Sequence, residues 1–295
     1  MKSAFIALIG RPNAGKSSIL NRLVGEKVSI VSPKPQTTRD KIMGVVNGDD
    51  FQLVFTDTPG IHTPKNKLDA YMQKCVKQAS EDVDGILVIV DAAKGISRWE
   101  IEIIEKALEG DADVFVAVNK TDIVKREDVF KILQQLAPLS ARKDGIKDIF
   151  PVSAKNNVNM DILLGGLKSC LKDGVRYFPE DEYTDKPVRF VIGETIREKA
   201  LLYLQDEIPH GVGVSVQKID EGEVYSIEAD IICEKESHKR IIIGEEGAMI
   251  KRISTSARAD IERLVGRRVF IRLFVKVRED WRNRASYIKD IGYEN

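Results

Sequence analysis

The sequence predicts two successive folds: an α/β domain built on a mostly parallel, doubly wound sheet, then a small α+β domain. Three observations predict this. Over the first 172 or so residues, short apolar runs rich in β-branched and aromatic residues alternate with amphipathic stretches of helical period. Polar, glycine-containing motifs stand where those apolar runs end. Beyond a stretch with no period, the order changes to helix, hairpin, helix and strand.

In the first part the expected strands are "AFIALIG" (4–10), "FQLVFTD" (51–57), "GILVIVD" (85–91), "VFVAVNK" (114–120) and "DIFPVSA" (148–154). The expected helices are "KSSILNRLVG" (16–25), "LDAYMQKCVKQASEDV" (68–83), "WEIEIIEKALEG" (99–110) and "EDVFKILQQLA" (127–137). Parallel neighbours require crossovers, so strands alternating with helices predict a parallel sheet whose ligands lie at the carboxyl ends of its strands. Residues 173–187 mix glycine, two prolines and five acids, and read as a linker. The second domain, 188–295, is expected to hold a helix over "GETIREKALLYLQ", the hairpin "GVGVSVQKI"/"VYSIEADIICE", a helix over "AMIKRISTSARADIERLVG", the strand "VFIRLFVKV" and a last helix "WRNRASYIKD".

The first motif, Gly10-Arg11-Pro12-Asn13-Ala14-Gly15-Lys16-Ser17, fits G-x-x-x-x-G-K-[ST] between a strand and a helix. Its glycines let the backbone curl so that N–H groups face phosphate oxygens, with Ser18 continuing into the helix. Lys16 adds a charge at the outer phosphates, and the Ser17 hydroxyl can ligate magnesium. Asp57 ends the next strand as a candidate magnesium partner through water, and the Gly60 N–H can sense a terminal phosphate. "NKTD" supplies Asn119, Lys120 and Asp122. The Asp122 carboxylate can accept the paired hydrogens of guanine N1 and its amino group, which adenine does not offer. Asn119 braces the loop and the Lys120 stem can lie over the purine. "SAK", Ser153-Ala154-Lys155, ends the next strand, where the Ala154 N–H can reach the guanine oxygen.

Four motifs in order at four strand ends, together with "TTRD" in a polar loop, resemble the motif set of the translation-factor-related GTPases. The subgroup resembled contains the Era-type and the tRNA-modifying GTPases, and the resemblance covers residues 3 to about 172. It implies GTP and GDP as ligands, magnesium held by Ser17, Thr38 and Asp57, and slow hydrolysis to GDP and phosphate. Sequence physics does not separate Thr38 from Thr37 as the closing threonine; the resemblance selects Thr38. The residue after the D-x-x-G turn is Ile61, where Ras-like enzymes carry a glutamine that orients the attacking water. Ile61 can neither donate nor accept a hydrogen bond. One reading is simply a slow enzyme. In the other, which the resemblance supplies, Asn13 holds potassium against the phosphates. Lys16, Thr38, Asp57, Gly60, Ile61 and Asn13 are thus the residues assigned to hydrolysis, with His62 a bystander.

In the second domain, "RIIIGEEGAMIKRI" carries G-x-x-G at Gly244–Gly247, after an apolar run and before a basic helix. With the element order around it, this resembles the type II KH fold, whose G-x-x-G loop clamps the backbone of about four nucleotides. A GTPase domain followed by such a module is the Era-type architecture. It implies binding to the 3′ end of small-subunit (16S) ribosomal RNA, a part in maturation of the small ribosomal subunit, and a monomer. Glu245 and Glu246 between the glycines depart from the usual neutral or basic pair and oppose a phosphate backbone, while Lys239, Arg240, Lys251 and Arg252 flank them. Trp281 and Tyr287 are expected to pack rather than to stack on bases.

Net charge is zero, yet 13 Lys or Arg face 6 Asp or Glu between Lys239 and Arg284, so a local excess of seven positive charges is balanced by an acidic remainder. Cys75, Cys170 and Cys233 are far apart and form no C-x-x-C, which predicts reduced thiols and a cytoplasmic protein. No apolar run approaches the ~20 residues that span a bilayer. "MKSAFIALIG" is interrupted by "RPNAGK" too soon to be expected as a signal peptide. Peripheral membrane contact is admitted by the resemblance alone. Two other readings stand beside the leading one. A tRNA-modifying GTPase is disfavoured because 295 residues leave no room for a further catalytic domain. A non-catalytic module that holds GTP and signals by docking on a membrane or protein, without RNA recognition, differs from the first in a GTPase assay.

Overall fold

The computed structural model describes residues 1–34, 36–60, 66–79, 81–205 and 208–293. They form two compact units: Met1–Ser29, 40–60 and Gln73–Asp185 in the first, and Ile30–Arg39, 66–72 and 186–293 in the second. The division differs from a simple cut at 172, because two early segments are part of the C-terminal unit. Nothing in the local periodicity of 30–39 or 66–72 marks that membership.

In chain order, the elements up to residue 173 are β1 (Lys2–Gly10), α1 (Lys16–Val24), β2 (Ile42–Asn47), β3 (Phe51–Asp57), α2 (Lys67–Ala79), β4 (Gly85–Asp91), α3 (Arg98–Ala107), β5 (Asp113–Asn119), α4 (Arg126–Ser140), β6 (Asp148–Pro151), α5 (Met160–Leu167) and β7 (Lys172–Asp173). The sheet order is β2-β3-β1-β4-β5-β6, with β7 antiparallel on β1. β3, β1, β4, β5 and β6 run parallel, and β2 is antiparallel to β3. Every residue of β4 is buried, as a parallel strand covered on both faces requires. One face packs on α1 and α5 through Ile19, Leu20, Leu163 and Leu167. The other packs on α3 and α4 through Ile104, Ile132 and Leu136. The doubly wound sheet anticipated from the alternating pattern is therefore the one observed.

Three elements of this part escaped the sequence pattern: β2, α5 and the two-residue β7. β2 follows an irregular polar segment, and "NGDD" after it was the hairpin signal that marks it. α5, "MDILLGGL", carries two glycines that argue against a helix. Gly166 is small for a packing reason: a Cβ there would lie 2.3 Å from Phe150 Cζ.

The segment read as a linker is strapped to the first unit up to Asp185. Val45 donates its N–H to the Tyr183 carbonyl at 2.9 Å, Met43 donates to Asp185 Oδ1 at 2.8 Å, and Thr184 bridges Gly44. The buried Gln52 amide fills all its hydrogen-bonding positions. Oε1 accepts from the Tyr177 and Phe178 N–H groups at 2.8 and 3.0 Å, while Nε2 donates to Asn47 Oδ1 at 2.7 Å and the Phe178 carbonyl at 2.9 Å. The Tyr177 ring meets Phe5 edge-on with centroids 4.8 Å apart.

The second unit continues with α6 (Val188–Tyr203), β8 (Gly213–Glu221), β9 (Tyr225–Cys233), α7 (Glu236–Ile243), α8 (Ala248–Val265), β10 (Val269–Val277) and α9 (Ala285–Asp290). Its sheet order is β10-β9-β8, with β10 parallel and β8 antiparallel to β9. The apolar "RIII" before G-x-x-G is the end of α7. "WRNRASYIKD" divides into a single tight turn and the short α9. Trp281 is fully buried and donates Nε1–H to the Gly211 carbonyl at 2.9 Å. Residues 191–201 of α6 are buried all round, so its charges are paired. Arg197 binds Glu194 at 2.8 Å and the Thr37 carbonyl, Tyr293 donates to Glu194 at 2.9 Å, and Glu198 accepts from the Val31 N–H at 2.9 Å. Arg39 donates to the carbonyls of Val212 at 2.6 Å and His210 at 2.9 Å. All three cysteines are buried free thiols, and among the described residues no helix is long and apolar enough to cross a membrane.

Gln52→Leu keeps the volume but strands the strap's backbone groups. It should cost about 2 kcal/mol in chemical denaturation and bring forward proteolytic cleavage within 174–185. An unchanged cleavage pattern would show that the strap is held elsewhere.

Candidate functional site

The phosphate-type loop joins β1 to α1, so its backbone N–H groups lie at a helix N-terminus. Gly15 has φ 101°, and a Cβ there would lie 2.1 Å from Asn119 Nδ2. Asn13, at φ 65°, is also left-handed. Lys16 is buried and donates Nζ hydrogens to the carbonyls of Gly10 at 3.1 Å and Arg11 at 3.2 Å. Desolvation lowers its pKa from 10.5, and the charge of Asp57 opposes that shift. Ser17 Oγ donates to Asp57 Oδ2 at 2.6 Å, and Ser29 Oγ donates to the same oxygen at 2.8 Å. Ala14 is buried in the core and Ser18 is half-buried on α1. Gly60 closes on Pro12, since a Cβ at 60 would meet Pro12 Cγ at 2.6 Å. The Arg11 side chain is committed elsewhere: it binds Glu100 at 2.7 Å and Ser97, over the Trp99 ring. Only its backbone therefore serves the loop.

At the other end of the site, Asn119 Nδ2 donates to the Ala14 carbonyl at 2.9 Å while Oδ1 accepts from the Ala154 N–H at 3.2 Å. That N–H, expected to face a guanine oxygen, bonds a neighbouring loop here. Lys120 has φ 68° and pairs with Asp91 at 2.7 Å. Ser153 Oγ donates to Asp122 Oδ1 at 2.6 Å and accepts from the Asn156 N–H at 3.1 Å. This orients an exposed carboxylate from a buried hydroxyl. Lys155 is exposed, and its carbonyl and that of Ala154 accept from Arg22 at 3.3 and 3.1 Å. Ser29, Asp91 and Arg22 were not singled out from the sequence, where nothing local distinguishes them. Thr38 is buried in the second unit beside Thr37, whose hydroxyl donates to the Lys34 carbonyl at 2.6 Å. Ile61 and His62 lie outside the described residues.

The G-x-x-G loop of the second unit turns between α7 and α8 with φ 75° at Gly244 and 77° at Gly247. A Cβ on Gly244 would meet Met249 N at 2.8 Å, so that glycine is needed twice over. Glu245 and Glu246 are exposed, as are Arg240, Lys251 and Arg252, while Lys239 is half-buried. Arg252 lies over the Tyr203 ring at 4.3 Å. Tyr287 is half-buried between Arg278 and Arg284, each 5.7 Å from its ring.

A glycine-rich loop with a buried lysine, a magnesium-type Ser/Asp pair and a guanine-type carboxylate define a P-loop GTPase, here joined to a KH module. The chain matches the family described as 50S ribosome-binding GTPase over residues 5–120 and the KH domain family over 207–282. It is 44% identical to GTPase Era of Alkaliphilus metalliredigens, covering 99% of both chains. It is likewise 44% identical to GTPase Era of Clostridioides difficile, covering 100% of this chain and 99% of that one. The chain belongs to the GTPase Era family. Two solved structures match it at TM-score 0.93 and 36% identity over the full length of both chains. One is Era in complex with MgGDPNP and nucleotides 1506–1542 of 16S ribosomal RNA. The other is an Aquifex aeolicus Era variant bound to GDP and tetrafluoroaluminate.

Phosphate oxygens placed against Lys16 restore its charged form. Nucleotide binding at alkaline pH below 10.5 should therefore take up a proton. Isothermal titration in two buffers of different ionisation enthalpy should give different apparent heats there; equal heats would contradict the lowered pKa of this ammonium.

Proposed function

We propose that this chain is a GTP-hydrolysing switch that binds the 3′ end of 16S ribosomal RNA and assists maturation of the small ribosomal subunit. The observation that carries the reading is the full-length likeness to Era bound to MgGDPNP and nucleotides 1506–1542. The braced site and the G-x-x-G turn supply matching chemistry. In this reading the loop N–H groups from Gly10 to Ser18 and the Lys16 ammonium hold the phosphates. Asp122, aimed by Ser153, reads the guanine edge. The Lys120 stem covers the purine, and the Asn119 bonds keep the loops in register with it. Lys239, Arg240, Lys251 and Arg252 flank a clamp whose backbone, rather than Glu245 and Glu246, meets the RNA.

Ser17 Oγ and Asp57 Oδ2, 2.6 Å apart, form an oxygen-only pair of the kind a hard cation takes. They would hold magnesium, with Thr38 joining when GTP orders its segment. Magnesium, when bound, neutralises charge on the outer phosphates. Gly60 presents its N–H to the terminal phosphate while its contact with Pro12 fixes the turn. Ile61 cannot orient water, so turnover is slow, on the scale of ~10⁻⁴ s⁻¹ seen in unaided GTPases. Asn13 is the residue that would hold potassium against the phosphates, supplying positive charge where it develops.

GTP turnover measured in potassium and in sodium buffer, with and without RNA of the 1506–1542 sequence, tests both parts. Faster turnover in potassium and further stimulation by RNA are expected. No response to RNA would leave a GTPase whose C-terminal unit docks on a protein or membrane. Asp122→Asn should shift preference from guanine toward xanthine nucleotides; unchanged GTP and XTP binding would remove Asp122 from the base pocket.

A further inference from the structure

The second unit carries an arginine cluster that the G-x-x-G clamp does not use. α8 has 18 residues and is about 27 Å long. Its N-terminus follows G-x-x-G, so its C-terminus lies that far from the clamp. There an open depression of about 830 Å³ is lined by Arg258, Glu262, Arg263, Arg267, Arg268 and Phe270. The backbone beneath it is fixed. Gly266 ends the helix at φ 65° with its N–H on the Glu262 carbonyl, Glu262 Oε1 accepts from the Val269 N–H at 3.1 Å, and the Arg268 carbonyl accepts from Tyr225 at 2.8 Å. Arg263 is paired with Asp260. The guanidinium groups of Arg258, Arg267 and Arg268 are exposed and, among the described residues, held by no hydrogen bond or ion pair. Phe270 is 50% exposed on the edge strand β10, with the Arg272 guanidinium 5.9 Å from its ring.

The field of a helix C-terminus accounts for a cation in the last turn, such as Arg263, but that effect fades within the turn. Arg267 and Arg268 stand beyond Gly266. The cations of the cluster are all arginine, the residue that pairs bidentately with phosphate and stacks on bases. An exposed phenylalanine beside them offers a stacking face. The G-x-x-G loop itself carries two exposed carboxylates. It spans about four nucleotides, whereas the RNA bound by the Era relative runs from 1506 to 1542.

We infer that Arg258, Arg267 and Arg268, with Phe270, form a second RNA contact that binds the phosphate backbone of the same RNA outside the G-x-x-G clamp. The inference rests on the reading that this chain binds ribosomal RNA. The cluster adds positive charge to the four cations that flank the acidic loop, and it lengthens the footprint along α8.

The test is fluorescence anisotropy of labelled 1506–1542 RNA against the full chain, titrated over a range of salt. Arg267→Ala/Arg268→Ala should weaken binding roughly tenfold and reduce the slope of log K against log salt by about one unit per arginine. Arg258→Gln should act in the same direction and Arg267→Lys/Arg268→Lys should keep most of the slope. GTP turnover without RNA and the thermal midpoint should be unchanged in each. If the wild-type chain binds the RNA and the alanine variant binds it with the same affinity and slope, the second contact is overturned and the rRNA reading stands. If the wild-type chain does not bind the RNA at all, both fall. Loss of binding to phosphatidylglycerol vesicles by the alanine variant, with RNA binding intact, would make the cluster a lipid site and overturn the assignment.

Discussion

The nucleotide end of the first unit depends on one side-chain amide. Asn119 ends β5, donates to the loop after β1 through Ala14 and accepts from the loop after β6 through Ala154. The loop after β1 and the ends of β5 and β6 are thereby fixed to one another by side-chain bonds as well as by the β5–β6 ladder. The contact also dictates a sequence choice elsewhere, because Gly15 has no room for a Cβ beside that amide. A loop ordered in this way need not be reorganised each time a phosphate arrives. Less of the binding energy is then lost to conformational entropy.

Charge burial is handled differently in the two units. Lys16 sits out of water against backbone carbonyls, which keeps an ammonium in place at the cost of its pKa. In the second unit, α6 brings Glu194, Arg197, Glu198 and Lys199 inside and matches each with a partner. Arg39 is pushed down to about 10 by burial and by the neighbouring Arg197 charge, and its two bonds to backbone carbonyls hold it. Paired groups of this kind add little net stability over an apolar core, but mispairing them is expensive. In this structure they hold the 30–39 segment within its unit.

Much of this was legible in the sequence because it rests on period and on local turn chemistry. The parallel strands announced themselves as unbroken apolar runs. The motif loops were marked by glycines whose positive φ or close contacts the structure bears out at Gly15 and Gly244. What stayed hidden depends on distant partners. β2 is an edge strand after an irregular loop, α5 hides behind the glycine that Phe150 requires, and Ser29 meets Asp57 across 28 residues of chain. The commitment of Arg11 to Glu100 and of the Ala154 N–H to Asn119 follows from three-dimensional proximity alone. So does the membership of 30–39 in the C-terminal unit, where Arg39 finds its acceptors at His210 and Val212.

The strap over residues 174–185 has a consequence for how the first unit coexists with other copies of itself. β2 is the last strand of the sheet on its side, and Val45, Gly44 and Met43 would otherwise present bare backbone groups along it. An uncovered strand of that kind is a template for pairing with a second chain. Tyr183, Thr184 and Asp185 occupy those positions first. The segment that reads as a tether between domains is thus also the guard of an open margin.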